Sequence, residues 1–490
     1  MMRGARIAEK EMPADRRARV AIDLGAESCR VSLLRWMDGR ASIQLVQRIP
    51  NAPHTDSAGN LRWPLHRLTQ QIFSGLRQAA ELAPEGICSI GVDGWAVDYV
   101  RLNQQGQANE DPFCYRDERT VAVKDTLDKR LAPDEMFART GVQPMRINTI
   151  YQLVADRLRP REQTPWLLLP EFLLFTLGAE PVAELTNATH TGLVSAATHE
   201  WSSELFTRAG LDIALAPRIV APGTMIGTLR GELAQLSAFR ETRLIAPACH
   251  DTASAVATMP SDPVGIAYII CGTWSLAGAV QPTPVITEEA RKRGFTNLGA
   301  AAGAYCFHTN INGMWMLKQC VEQWLAEGRA SERVEFGRLT EAAERVHIPS
   351  DAVFPVDAPE LLLPGTMPQK IRRRLLEHTG VTLTQNSEDE AVLTRVILNS
   401  LAFRYARALR DLEELTGRKY RQIHVLGGGA RNRLLLRLIA ESTGLPVTAG
   451  TVEASTLGNF ALQMAAECDP SDRADTLSQY VAQCAQATWD

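Results

Sequence analysis

The first chemistry the chain offers is one carboxylate set among small residues, in Ala248-Cys249-His250-Asp251-Thr252-Ala253-Ser254. The pattern predicts an apolar strand before it, Thr242 to Ile245, and a helix after it, Ser254 to Thr258. A carboxylate at such a junction sits where a catalytic base would sit, and also where an Asp caps a helix by accepting from free backbone N–H groups. Taken alone, the segment leaves both open. Two further segments favour chemistry: Val20-Ala21-Ile22-Asp23-Leu24-Gly25-Ala26-Glu27-Ser28, and Ile423 to Asn432, which contains Gly427-Gly428-Gly429. The short turns Gly25 to Ser28 and Gly272 to Ser275 offer backbone N–H groups and hydroxyls to phosphate oxygens. The glycine turn lets backbone approach a ligand closely, and a helix opening after Arg431 points its N–H groups at an anion. The P-loop pattern G-x-x-x-x-G-K-[ST] is absent, and Asn432 stands where a dinucleotide fingerprint needs its third glycine.

These residues need elements to hold them. Val20 to Leu24 and Arg30 to Leu34 read as a hairpin, and Gly265 to Gly278 repeats the plan, so an internally duplicated architecture is expected. Ser89 to Asp93 reads as a strand and Trp95 to Val100 as a second, with Trp95 and Asp98 near the turn between them. Trp166 to Leu177 is the most apolar stretch, but Pro170 and Glu171 interrupt it and it is too short to cross a bilayer. A buried helix pair, or a helix with a turn, is expected there. Apolar positions from Ala391 to Leu415 recur at helical spacing and lead into a strand, Gln422 to Leu426. The order of strands and helices predicts an α/β class with segregated halves. Residues 1–19 read as a mobile tail, 20–245 as a first domain and 246–490 as a second, with the junction around Pro222 to Pro247 and Asp251 at the mouth of an interdomain cleft.

Length and composition agree. At 490 residues with 45% hydrophobic content, two large domains with ample core are expected. A net charge of -4 offers no broad cationic surface, and Arg16-Arg17 and Arg372-Arg373-Arg374 are too short to reverse this, so nucleic acid is not an expected partner. The nine cysteines contain no C-x-x-C pair, which points to reduced thiols in a cytoplasmic protein with no membrane span.

The motifs together resemble those of the FGGY family of carbohydrate kinases, within the actin-like ATPase (ribonuclease H-like) fold. The likeness rests on Asp23 to Val31, Gly91 to Tyr99, Tyr115 to Thr120, Leu185 to Thr189, His250 to Val256, Gly272 to Ser275 and Val452 to Asn459, and covers essentially everything from Val20 onward. It implies an α/β fold of two such domains flanking a cleft, and transfer of phosphate from ATP, with Mg2+, to the C1 hydroxyl of a ketose. The sugar implied is L-rhamnulose, with L-fuculose as the alternative; a nucleotide-sensing protein without catalysis is the reading from another class. Under the resemblance Asp251 is the general base, and Trp95, Ala96, His250, Thr252 and Asn310 contact the sugar beside it. Ala26, Glu27, Ser28, Cys29 and Arg30 form the first phosphate turn, and Thr273 belongs to the second. Lys318, Gly428, Gly429 and Asn432 meet the nucleotide, and Asp23 holds Mg2+ through water. The chain departs from the family pattern at Cys29 and Ala96, where glycines are usual, at Gly94 for a Thr, and at Lys318 for a Gln. A Cβ at position 29 would be strained if that turn required positive φ.

Overall fold

The structure is a computed structural model that describes residues 13–37, 40–159, 163–260, 265–328, 336–349, 351–383, 389–468 and 473–489. Its first sheet contains β1 (Ala18–Leu24), β2 (Ser28–Met37), β3 (Arg40–Pro50), β4 (Ile87–Gly94), β5 (Thr224–Thr228) and β6 (Arg243–Ala246). They lie in the order β5-β6-β4-β1-β2-β3, and Thr488–Trp489 adds an edge strand beside β3. The second sheet contains β7 (Ile266–Cys271), β8 (Trp274–Gln281), β9 (Phe295–Gly299), β10 (Tyr305–Asn312), β11 (Gln422–Leu426) and β12 (Val447–Ala449), in the order β9-β10-β8-β7-β11-β12. The two repeat one plan. β1 pairs antiparallel with β2 and parallel with β4, as β7 pairs antiparallel with β8 and parallel with β11. The duplication expected from the two hairpins therefore extends to five strands of each sheet, β6-β4-β1-β2-β3 and β12-β11-β7-β8-β10, with β5 and β9 outside it.

A central parallel strand is covered on both faces, so it reads as a nearly unbroken buried run rather than an alternation. Every residue of β1 is buried. Val20, Ile22 and Leu24 face one side, where they join Leu68, Ile72 and Leu76 of helix α1 (Leu65–Leu82). Ala21, on the opposite face, joins Leu457, Phe460 and Ala461 from far along the chain. Along the chain after α1 come helices α2 (Asp251–Val256), α3 (Asp389–Thr416) and α4 (Arg433–Thr443), and the residues on the far face of β1 belong to α5 (Ala454–Ala465). The core of the second half gathers α3 and α4 against β7 and β11.

The packing of α5 crosses the expected 245/246 division. Gln463 on α5 donates to the Val20 carbonyl at 3.0 Å and accepts from Ser89 at 2.6 Å, and Thr488–Trp489 pairs with β3. The tail of the chain thus completes the first sheet, a return that local periodicity cannot announce. At the other end, residues 1–12 of the expected tail lie outside the described residues; β1 opens at Ala18, whose N–H donates to the Gly86 carbonyl at 2.8 Å, and Arg19 is buried in an ion pair with Glu467.

Three local expectations differ in detail. The helix expected from Ser254 begins at Asp251. Trp95 to Val100 is not one strand: Val97 takes φ 73° and only Tyr99–Arg101 pairs, with Trp166–Leu168. That pairing makes Trp166–Leu168 a strand and leaves Leu169–Thr176 as the helix, since Pro is tolerated in the first helical turn, where its missing N–H has no partner to lose.

Close approach of α5 depends on two glycines. A Cβ on Gly91 of β4 would lie 2.4 Å from Asn459 Oδ1, and one on Gly458 of α5 would lie 1.8 Å from the Ser254 carbonyl of α2. Gly458→Ala should therefore push α5 from α2, costing about 1–3 kcal/mol as overpacking does. A lowered thermal unfolding midpoint checks it; an unchanged midpoint means the helices separate at no cost.

Candidate active site

In open α/β sheets, ligands collect beyond the carboxyl ends of parallel strands. β1, β4 and β6 are parallel neighbours, and each delivers a carboxylate there. Asp23 and Asp93 stand in register at the ends of β1 and β4, and Asp251 opens α2 just beyond β6. The cluster is electrostatically expensive. Burial, then the charge of Asp23, push the Asp251 carboxyl up to about 7, against the backbone N–H of Thr252, which donates to it at 2.5 Å. Asp93, wholly buried, is raised well above the usual carboxylate range by burial, by Asp23 and by Asp251. Arg30 on β2 binds Asp23 at 2.7 Å, Ser455 donates to Asp23 at 2.8 Å, and Asn459 donates to Asp93 at 2.6 Å. Asp251 keeps 37% of its side-chain surface open, facing the cleft from among surrounding protein.

The donor set fits a hydrated Mg2+. No three His, Cys, Asp or Glu side chains among the described residues converge closely enough to hold a metal directly, and Mg2+ characteristically keeps several waters beside one or two carboxylates. Asp23 offers such a carboxylate, and the Oδ1 of Asp93 is buried without a partner.

The loop that carries the central carboxylate is fixed from below. Buried Glu184 accepts from the backbone N–H of Cys249 at 2.7 Å and of Thr186 at 2.9 Å, and burial raises its carboxyl to about 8. His250 then presents its ring between two neighbours. Its Nδ1 shares a hydrogen bond with His190 Nε2 at 3.0 Å, and its Nε2 approaches Asp251 Oδ1 at 3.3 Å. Burial lowers the His250 pKa to about 3 and that of nearby His308 to about 4, so both rings are neutral.

Trp95, Ala96, His250, Thr252 and Asn310 line one cavity of about 220 Å³ next to Asp251. Val142, Met145, Ile147 and Leu298 make part of its wall apolar, and His190, His308 and Trp274 also face it. Trp95 is held by buried Asp98, whose carboxylate accepts from Trp95 at 2.9 Å, from Trp63 at 2.6 Å, and from the Tyr115 backbone at 3.2 Å.

Gly428, Gly429 and Asn432 line a separate cleft of about 770 Å³ with Gly272, Met314 and Thr340. Asn432 caps α4, accepting from the Leu435 N–H at 3.0 Å. The turns Gly25 to Ser28 and Gly272 to Ser275, expected to bind phosphate, meet through Glu27, which accepts from Thr273 at 3.5 Å and also from Lys318 at 2.9 Å. Ala26 and Ser28 flank Glu27, and Arg48 donates to the Ser28 hydroxyl at 3.3 Å. Cys29 is fully buried within β2 at negative φ, so it carries none of the strain a positive φ would bring, and its thiol is pushed up to about 12 by burial. Gly25 is the constrained position: a Cβ there would lie 2.4 Å from the Ser28 carbonyl.

The sequence reading assigned no site role to Asp93, Asp98, His190, His308 or Trp274. Asp93 had a usable signal, since it ends an apolar strand before a glycine much as Asp23 does. His190 had none, because it meets His250 only through folding.

Residues 18–258 match the N-terminal domain of the FGGY family of carbohydrate kinases, and residues 267–467 its C-terminal domain. The chain is 35% identical over 450 residues to a rhamnulokinase of Bacteroides thetaiotaomicron, covering 90% of this chain and 89% of that one. A rhamnulokinase of Bacillus subtilis is 33% identical over 454 residues, covering 92% and 91%. Among solved structures, a ligand-bound xylulose kinase from Lactobacillus acidophilus superposes with TM-score 0.77 at 15% identity, over 94% of this chain and 91% of that one. Plasmodium falciparum glycerol kinase with ADP gives 0.74 at 12% identity, over 94% and 92%.

Trp63, Trp95 and the Tyr115 backbone donate to one oxygen of Asp98 and Gln152 to the other, so an amide there must turn its own NH2 on one of these donors. Asp98→Asn should destabilise the protein by about 1–3 kcal/mol and release Trp95. Denaturant unfolding and tryptophan emission read the two effects; unchanged emission would mean Trp95 is held by packing alone.

Proposed function

The chain belongs to the FGGY family of carbohydrate kinases, and we propose that it transfers the γ-phosphoryl group of ATP to the C1 hydroxyl of L-rhamnulose. The carrying observation is Asp251, a carboxylate whose proton affinity is raised to about 7 at the edge of a sugar-sized cavity. A base works best when its pKa lies near the operating pH. The names of the relatives favour L-rhamnulose. So does the wall formed by Val142, Met145, Ile147 and Leu298, which suits the C6 methyl of a 6-deoxy ketose. L-Fuculose shares that methyl and is the second reading.

In the proposed reaction, Asp251 accepts the C1 hydroxyl proton as that oxygen bonds to the γ-phosphorus, and the bond from phosphorus to the bridging oxygen breaks to leave ADP. Such transfers rely on positioning and charge stabilisation rather than covalent work by the protein. Neutral His250 and Thr252 orient the hydroxyls beside the base, while Trp95 and Asn310 bound the sugar. Gly25 to Ser28 and Thr273 grip phosphate; Gly428 and Gly429 admit the nucleotide end. Mg2+, held through water by Asp23 and Asp93, would neutralise phosphate charge. All nine cysteines are free and all but Cys468 are buried, which supports a cytoplasmic location. A nucleotide sensor without catalysis would have no use for a base so placed.

Asp251→Asn keeps shape and removes proton acceptance, so turnover should fall about 10²–10⁴-fold. Near-normal turnover in a coupled ADP assay sinks the mechanism. In the wild type, kcat/KM for the sugar should rise with pH as Asp251 loses its proton, with an acid limb centred near 7 instead of near the usual 4. Specificity constants for L-rhamnulose, L-fuculose, L-ribulose and D-xylulose decide the substrate: the first should be highest.

The nucleotide grip has a cleaner probe in Gly428 than in Gly429. A Cβ on Gly429 would strike the Cys271 side chain at 2.4 Å, whereas nothing lies within 4 Å of one on Gly428. Gly428→Val should raise KM for ATP far more than KM for the sugar; equal effects on both would remove the cleft from the nucleotide site.

A further inference from the structure

The first phosphate turn carries a side chain that phosphate chemistry opposes. Glu27 lies between Gly25 and Ser28, where a bound polyphosphate would meet its carboxylate as a like charge at short range. Yet the carboxylate is compensated. Its Oε1 accepts from Lys318 Nζ at 2.9 Å and from Thr273 Oγ1 at 3.5 Å, so a single oxygen from the first sheet collects two donors from the second half.

The neighbouring cations have other carboxylates. Arg30 binds Asp23 at 2.7 Å and lies 3.6 Å from Glu453, and Arg48 lies 3.8 Å from Glu453. Lys318 is the cation whose carboxylate is Glu27. It also sits near the start of the helix Trp315–Ala326, whose first N–H groups bond to the carbonyls of the second turn: Met314 to Gly272 at 2.9 Å and Trp315 to Thr273 at 3.2 Å. The ammonium is therefore anchored to the turn that grips phosphate. Glu27 is 51% exposed and Lys318 36%, and an ion pair this open to water is weak enough to exchange partners.

We propose that Glu27 is an internal stand-in for a nucleotide phosphate: it engages Lys318 and Thr273, and on nucleotide binding it yields both to ATP. The inference rests on the reading of these turns as the nucleotide site. Glu27 opposes ATP twice, by holding Lys318 and by repelling phosphate, while Lys318 favours ATP. A chain with the carboxylate and no lysine would be left with repulsion alone, which is why the two side chains belong together.

The test is the KM for MgATP, with the KM for the sugar as control, in Glu27→Gln, Lys318→Gln and the double variant. Dissociation constants for a non-hydrolysable ATP analogue, from calorimetry on the full-length protein, repeat the comparison without turnover. Glu27→Gln should lower the KM for ATP about three- to tenfold. Lys318→Gln should raise it at least tenfold, and adding Glu27→Gln to that variant should bring it most of the way back. A raised KM for ATP in Glu27→Gln would make the carboxylate a helper of nucleotide or metal binding and overturn the proposal, as would an unchanged one. If Lys318→Gln raises the KM while Glu27→Gln does not lower it, the stand-in fails and the nucleotide site stands. If all three variants leave the ATP parameters at wild-type values, the nucleotide reading of the turns fails as well.

Discussion

Three carboxylates at the ends of adjacent parallel strands repel one another, and the surrounding structure is organised to make that tolerable. Asp23 is held by Arg30 from the next strand and by Ser455 from the end of the chain. Asp93 has Asn459 on one oxygen and no partner on the other. Asp251, held by Thr252 and approached by the ring of His250 at 3.3 Å, keeps an open face and is shifted up to about 7 by burial and by Asp23. Each additional donor to Asp251 would stabilise its charged form and draw its carboxyl back toward the usual range.

Helix α5 is the common mechanical element. It supplies Ser455 to Asp23, Asn459 to Asp93 and Gln463 to the heart of β1, and it touches α2 through Gly458. Two of the carboxylates hydrogen-bond directly to this one helix, and the third rides on α2 packed against it. Small shifts in α5 consequently move the whole acidic cluster together. The cavity lined by Trp95 and His250 is buttressed independently, with Asp98 pinning Trp95 and Glu184 pinning the backbone ahead of His250.

Much of this was readable along the chain because it rests on local signals. The two hairpins, the glycine turn and the loop around Asp251 are short motifs whose residue types announce their backbone. The paired sheets followed from recognising the hairpin twice. What escaped was whatever depends on distant segments. Trp166–Leu168 became a strand because Tyr99–Arg101 was available beside it, and Val97 broke the expected strand because Trp95 and Asp98 must turn inward together. His190 is separated by 60 positions from the ring it bonds, so no spacing rule reaches it. Arg19, charged and wholly buried, looked like the end of a tail until Glu467 was found beside it.

The return of the chain to its first sheet has a consequence for biosynthesis. A polypeptide leaves the ribosome N-terminus first, and domains ordinarily fold as they emerge. Here β1 to β6 are made early, but α5, which covers the face bearing Ala21, and Thr488–Trp489, which shields the β3 edge, are made only after all strands of the second sheet. During translation of the intervening second half, the nascent first sheet exposes an apolar face and an unpaired edge, the two features that invite aggregation. The polar pair Asn459 and Gln463 then docks on Asp93, Ser89 and the Val20 carbonyl as a late closing step, and the acidic cluster acquires its partners on this helix only once α5 has been made. Assembly of the acidic cluster thereby waits on the synthesis of α5.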